Sequence, residues 1–141
     1  MHLPLTTFSR RAALAALSAT LLAVPLAAQQ APKPAAPVLV TSIGQSLDGF
    51  QTQLAVKRAG VAFEYEAQAP ASALANAKTV FLAVGASLKG FGDAGITIKD
   101  ELARTAQILD EAQKRGVYVV VLHLGGDERR DALSNQLIEL A

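Results

Sequence analysis

Thr79-Val80-Phe81-Leu82-Ala83-Val84, echoed further on by Val117-Tyr118-Val119-Val120-Val121-Leu122, is the stretch on which the fold turns. Both runs are apolar at odd and even positions alike, so neither strand has a face suited to water. Strands of that kind sit in parallel sheets covered by helices on both sides, whereas a half-wet antiparallel strand alternates. Upstream, Val38-Leu39-Val40-Thr41 and Val61 to Tyr65 read as two more strands, and the segments between all four carry helical spacing.

The first helical segment, Leu47 to Ala59, offers Leu47, Phe50, Leu54 and Val56 as its inward stripe and stops at Lys57-Arg58-Ala59-Gly60. A short helix is expected over Ala71 to Ala77 after Pro70. Lys99 to Arg115 is the strongest helix, with Leu102, Ala106, Leu109 and Ala112 or Gln113 on one face, a capping box from Thr97 and Asp100, and Gly116 as its stop. A terminal helix from Arg130 turns Leu133, Leu137 and Leu140 inward. Right-handed crossovers then predict a doubly wound, mostly parallel α/β sheet of about four strands in the flavodoxin-like order 2-1-3-4. The helical pattern still runs at Ala141, and no segment is left to flank the fourth strand. The domain therefore reads as incomplete at its C-terminal side, or as completed by a protein partner at an exposed sheet edge.

Residues 1–28 have the three parts of an export signal: Ser9-Arg10-Arg11, the apolar stretch Ala12 to Val24, and small residues around Pro25-Leu26-Ala27-Ala28. Ser9-Arg10-Arg11-Ala12-Ala13-Leu14 resembles the twin-arginine pattern, with Ala13 where a phenylalanine is usual. Ser18, Thr20 and Pro25 interrupt the apolar run, so no stable membrane insertion is expected after cleavage, and the mature protein is expected to be periplasmic or secreted. Residues 29–37, QQAPKPAAP, read as a Pro/Ala-rich linker, and residues 38–141 as the α/β domain.

All 12 acidic residues follow residue 40, and two of the 13 basic ones lie in the export segment, which leaves a nearly neutral domain. Such a domain lacks the basic footprint of a nucleic-acid binder. The chain has no cysteine, and His123 is its one histidine beyond the export segment, so no spacing fits a transition-metal site.

Ligands of a doubly wound sheet bind beyond the carboxyl ends of the strands, where three unusual loops are expected to converge. After strand one come Thr41, Ser42, Gly44, Gln45 and Ser46, leading into a helix N-terminus suited to an anion. After strand three, Gly85 to Gly95 carries four glycines with Ser87, Lys89 and Gly90, and reads as a long, flexible, functional loop. After strand four come His123, Gly125, Gly126, Arg129 and Arg130, at the end of a strand expected to be central. These residues predict a site for a small anionic ligand. An alternative is a serine-dependent hydrolase, with Ser46 or Ser87 as nucleophile, His123 as base and Asp48 as orienting acid, although no nucleophile-elbow motif is present. A structural or interaction subunit is the third reading.

Taken together, Pro37 to Ser42, Gly44-Gln45-Ser46, Val84 to Ser87 with Lys89-Gly90 and Gly95-Ile96, and Leu122 to Gly126 with Arg129-Arg130 resemble a family of secreted bacterial α/β proteins of unknown function. The resemblance spans Pro37 to Ala141 and implies the same flavodoxin-like fold, with a further strand and helix that this chain does not contain. It implies no activity. Thr41 to Ser46 also resembles the phosphate loop of flavodoxins, with Ile43 where a threonine is usual. Flavin, however, needs aromatic residues from later loops, and only Phe91 stands in one, so a flavin cofactor is not expected.

Overall fold

The computed structural model describes residues 34–141. The export segment at residues 1–28 and the first part of the linker lie outside the described residues. Pro34 to Pro37 do not swing free: Ala35 exchanges two 2.9 Å hydrogen bonds with the Thr79 hydroxyl, and the Pro37 carbonyl accepts from Lys78 N at 2.9 Å.

Four strands, β1 (Val38–Ile43), β2 (Phe63–Tyr65), β3 (Thr79–Val84) and β4 (Tyr118–Leu122), form one all-parallel sheet in the order β2-β1-β3-β4, consistent with an α/β flavodoxin-like fold. The helices are α1 (Asp48–Arg58), α2 (Leu88–Ala94), α3 (Ile98–Arg115) and α4 (Ala132–Leu140), with 3-10 turns at Ala71–Asn76 and Asp127–Arg129. Strand alternation divides the core in two. Leu39, Ile43, Val80, Leu82 and Val84 meet Leu74, Phe91, Ile108, Ala112 and Leu137 on the face covered by α2, α3 and α4. On the other face Val38 and Val40 meet Val56 of α1, with Phe63, Tyr65 and Phe81 packed around them.

Several sequence expectations shift. β1 continues through Ile43, because Thr41 and Ser42 are buried and paired with Leu82 and Ala83. β2 begins only at Phe63, because Val61 remains exposed. The Ala71 segment is a 3-10 turn, closed by bonds such as Ala73 N to Pro70 O. β4 stands at an edge rather than in the middle, paired only with β3 among the described residues, and Val121 is exposed there.

The glycine-rich stretch after β3 is helical, not a flexible loop. Ser87 caps α2 by accepting from Gly90 N at 3.0 Å, Gly95 ends it in a left-handed conformation, and Lys89 pairs with Asp93 one turn on. Gly90 is demanded by proximity, since a Cβ there would lie 2.0 Å from the Gln45 carbonyl oxygen.

The expected stripe of α3 is displaced by one position. Glu101, Thr105, Ile108 and Ala112 are buried, with Leu102 and Leu109 at the margin, while its capping box forms as expected. α1 is turned almost about. It buries Asp48, Gly49, Thr52 and Val56, and presents Leu47, Phe50 and Leu54 to solvent. The inner face must be small because the helix lies close on the sheet: a Cβ on Gly49 would sit 2.9 Å from Ser42 Cβ and 3.3 Å from the Tyr65 hydroxyl.

Candidate functional site

Two polar centres lie at the carboxyl end of the sheet, one closed and one open. The closed centre is Glu101 with Arg104, on the first turns of α3. Glu101 is fully buried; its Oε1 accepts from Gly44 N at 2.6 Å, Gln45 Nε2 at 3.0 Å and Arg104 Nη2 at 2.9 Å, and its Oε2 from Arg104 Nε at 2.9 Å. The remaining Arg104 donors reach Ala69 O, Thr41 Oγ1 and Ser42 O. A guanidinium has five N–H donors, and here each has an acceptor, so Arg104 is a saturated clamp joining α3 to the end of β1 and the segment after β2. Burial by itself raises the Glu101 pKa, but the bonds from Arg104, Gly44 and Gln45, together with the Arg104 charge, outweigh it and hold the carboxyl below its ordinary value.

This centre occupies the ground that the sequence assigns to an external anion. Gly44 N and Gln45 Nε2 donate to the internal carboxylate. The Thr41 hydroxyl donates to Ala67 O and accepts from Ala69 N, and the Ser42 hydroxyl donates to Ser46 O. Sequence reasoning missed Glu101 and Arg104. The signal was present, since stepping back from Ile108 by helical spacing lands on Thr105 and then on a charged residue, and a charge on a core stripe must find a buried partner.

The open centre is built around Asp48, the first residue of α1 and fully buried. Its Oδ1 accepts from Arg129 Nη1 at 2.9 Å; its Oδ2 accepts from Leu124 N at 3.4 Å and lies 4.0 Å from His123 Nδ1. Two glycines permit this approach. A Cβ on Gly85 would fall 2.8 Å from Ser46 Oγ and 2.9 Å from Asp48 Oδ2, and one on Gly125 would strike the Arg129 stem at 2.5 Å. Arg129 is thus fixed at its root and at one guanidinium nitrogen, yet its side chain is 45% exposed, and among the described residues no other acceptor engages it.

His123 faces Val84 O through Nδ1 at 2.8 Å and Gly126 O through Nε2 at 3.1 Å. A neutral imidazole has one N–H to give, so in either tautomer it donates to one of the two carbonyls. Neither ring nitrogen faces a serine hydroxyl. Ser46 Oγ accepts from Asp48 N at 3.2 Å, and Ser87 Oγ caps α2. The hydrogen bond from nucleophile to base that acyl transfer uses is not made in this arrangement.

The other expected ligand residues make separate contacts. Gly126 begins the 3-10 turn that carries Arg129. Arg130 donates to Asn135 Oδ1 at 3.1 Å, and Lys89 is held by Asp93. Ser87, Lys89 and Gly90 line, with Gln45, Leu47 and Asp93, an open cavity of about 370 Å³. Ser134 of α4, unforeseen in the sequence, fastens the loop after β3 by accepting from Ala86 N at 3.0 Å. Among the described residues no cluster of His, Asp and Glu is arranged to hold a metal ion.

A doubly wound α/β domain with polar loops gathered at the strand ends is the class these features define. The chain belongs to the DUF6305 family, a domain of unknown function, whose model matches residues 35–141. Comparisons with curated proteins and with solved structures return no match.

Proposed function

We propose that this domain binds a small anionic ligand, a carboxylate or a phosphate, at the carboxyl end of its sheet, with Arg129 as the principal contact. The observation that carries the proposal is the state of Arg129: one nitrogen anchored on a buried carboxylate, the stem packed on Gly125, and the side chain 45% exposed with no other acceptor engaging it among the described residues. Such a fork is pre-organised, so an incoming oxyanion meets a donor pair whose ordering cost is already met in the free protein. Asp48 acts here as a positioning residue for Arg129.

Isothermal titration with inorganic phosphate and with succinate tests this reading. Arg129→Gln keeps a donor for Asp48 but removes the charge and the fork, and it should weaken binding by about 10- to 100-fold, the range expected for a charge-assisted hydrogen bond. Equal affinity in the parent and the variant would remove Arg129 from the site.

A further inference from the structure

We propose that the outward face of α1 seats the domain on an anionic lipid surface. Leu47, Phe50 and Leu54 follow one another at i, i+3 and i+7, hence on one face, and are 72%, 50% and 37% exposed. Lys57 and Arg58 are exposed in the last turn, and the one acidic residue of the helix, Asp48, is buried on the opposite side. Leu88, at the start of α2, is 77% exposed as well, and its neighbours Ser87 and Lys89 line a cavity together with Leu47.

α1 is held in this orientation at a cost. Thr52 Oγ1 is buried without a hydrogen-bond partner, and three large apolar side chains meet water while a glycine and a threonine face the sheet. An apolar ridge that leads into two cations, with no exposed acid on the helix, is the pattern of a helix lying in the plane of an anionic bilayer. No described helix is long and apolar enough to cross a membrane, so the contact is a peripheral one.

Charge argues against a second copy on this ridge. Antiparallel helices would set Lys57 and Arg58 against the positive end of the neighbouring helix, and parallel helices would set the two basic ends together. Area argues against a stable protein partner, because a few such side chains cover only some hundreds of Å² where a stable interface buries roughly 1,000 Å² or more.

The chain contains no tryptophan, so Phe50→Trp and Leu54→Trp, made separately in the full chain, each report on the α1 surface alone. Both positions are exposed, and an unchanged urea midpoint verifies the fold of each variant. With vesicles of mixed phosphatidylglycerol and phosphatidylcholine, the emission of both should move to the blue and be quenched by acyl-chain bromination. Vesicles of phosphatidylcholine alone should leave it little changed. Adding Lys57→Gln with Arg58→Gln should weaken the response roughly 25-fold, at about fivefold per basic residue near an anionic surface. Emission that stays at its water-exposed position, even when the protein sediments with the vesicles, would overturn the proposal. So would an equal response to neutral vesicles, or a blue shift that grows with protein concentration in their absence, which would assign the ridge to a second copy.

Discussion

Glu101 fills the loop after β1 as a bound anion would, and Arg104 neutralises it through two hydrogen bonds while its other three donors hold Ala69 O, Thr41 Oγ1 and Ser42 O. Removing one partner of such a buried pair strands the other. Glu101→Gln should therefore cost about 3–5 kcal/mol of stability, whereas Glu101→Leu with Arg104→Leu should cost much less than the two single changes summed, as read by urea denaturation. The same carboxyl has an acid signature. Its pKa is below its unfolded value, so the folded state holds the proton less tightly; the stabilisation is full above the unfolded pKa and drains away as pH falls through the folded one. The urea midpoint should drop on acidification below the ordinary glutamate range, and that component should be missing in Glu101→Gln. At this scale the sequence was half legible. Asp48, His123 and Arg129 were foreseen at the strand ends and are brought together, but the partner expected for Asp48 was His123, which lies 4.0 Å away, whereas the carboxylate bonds Arg129, because which donor meets which carboxylate depends on loop geometry that spacing does not encode. Glu101 was hidden because helical spacing was counted from Leu109 instead of Ile108, one residue away.

The elements show the same division. Sheet order and α3 could be read in advance because two-sided apolar strands and the pairing of Thr97 with Asp100 are local patterns. α1 could not, since its orientation is set by close packing at Gly49 and by the reach of Asp48 toward Arg129 rather than by its most apolar face. α2 was mistaken for a loop because its two interior glycines disguise a capped helix. Those glycines differ in kind. A Cβ at Gly92 has nothing within 4 Å, so Gly92→Ala should stabilise the protein by roughly 0.5–1 kcal/mol through helix propensity alone. Gly90→Ala gains the same propensity but collides with the Gln45 carbonyl, and it should destabilise by about 2 kcal/mol or more. Thermal unfolding of the two variants, with shifts of opposite sign, checks the assignment.

For the whole molecule, the arrangement of layers explains why chemistry collects at one end. α1 on one face and α2, α3 and α4 on the other leave the carboxyl ends of β1, β3 and β4 as the place where loops meet. One of the two centres there is closed by internal charge, and the other keeps a guanidinium turned to solvent. The most direct test of that distinction is a nitrogen–proton NMR titration of the protein with phosphate and with succinate. The Arg129 Nε–H resonance and the amides of Gly125 and Gly126 should move together and saturate, while the amide of Gly44, committed to Glu101, should stay still. Resonances at Arg129 and its glycines that remain fixed at millimolar anion, or movement centred on Gly44 instead, would contradict the account.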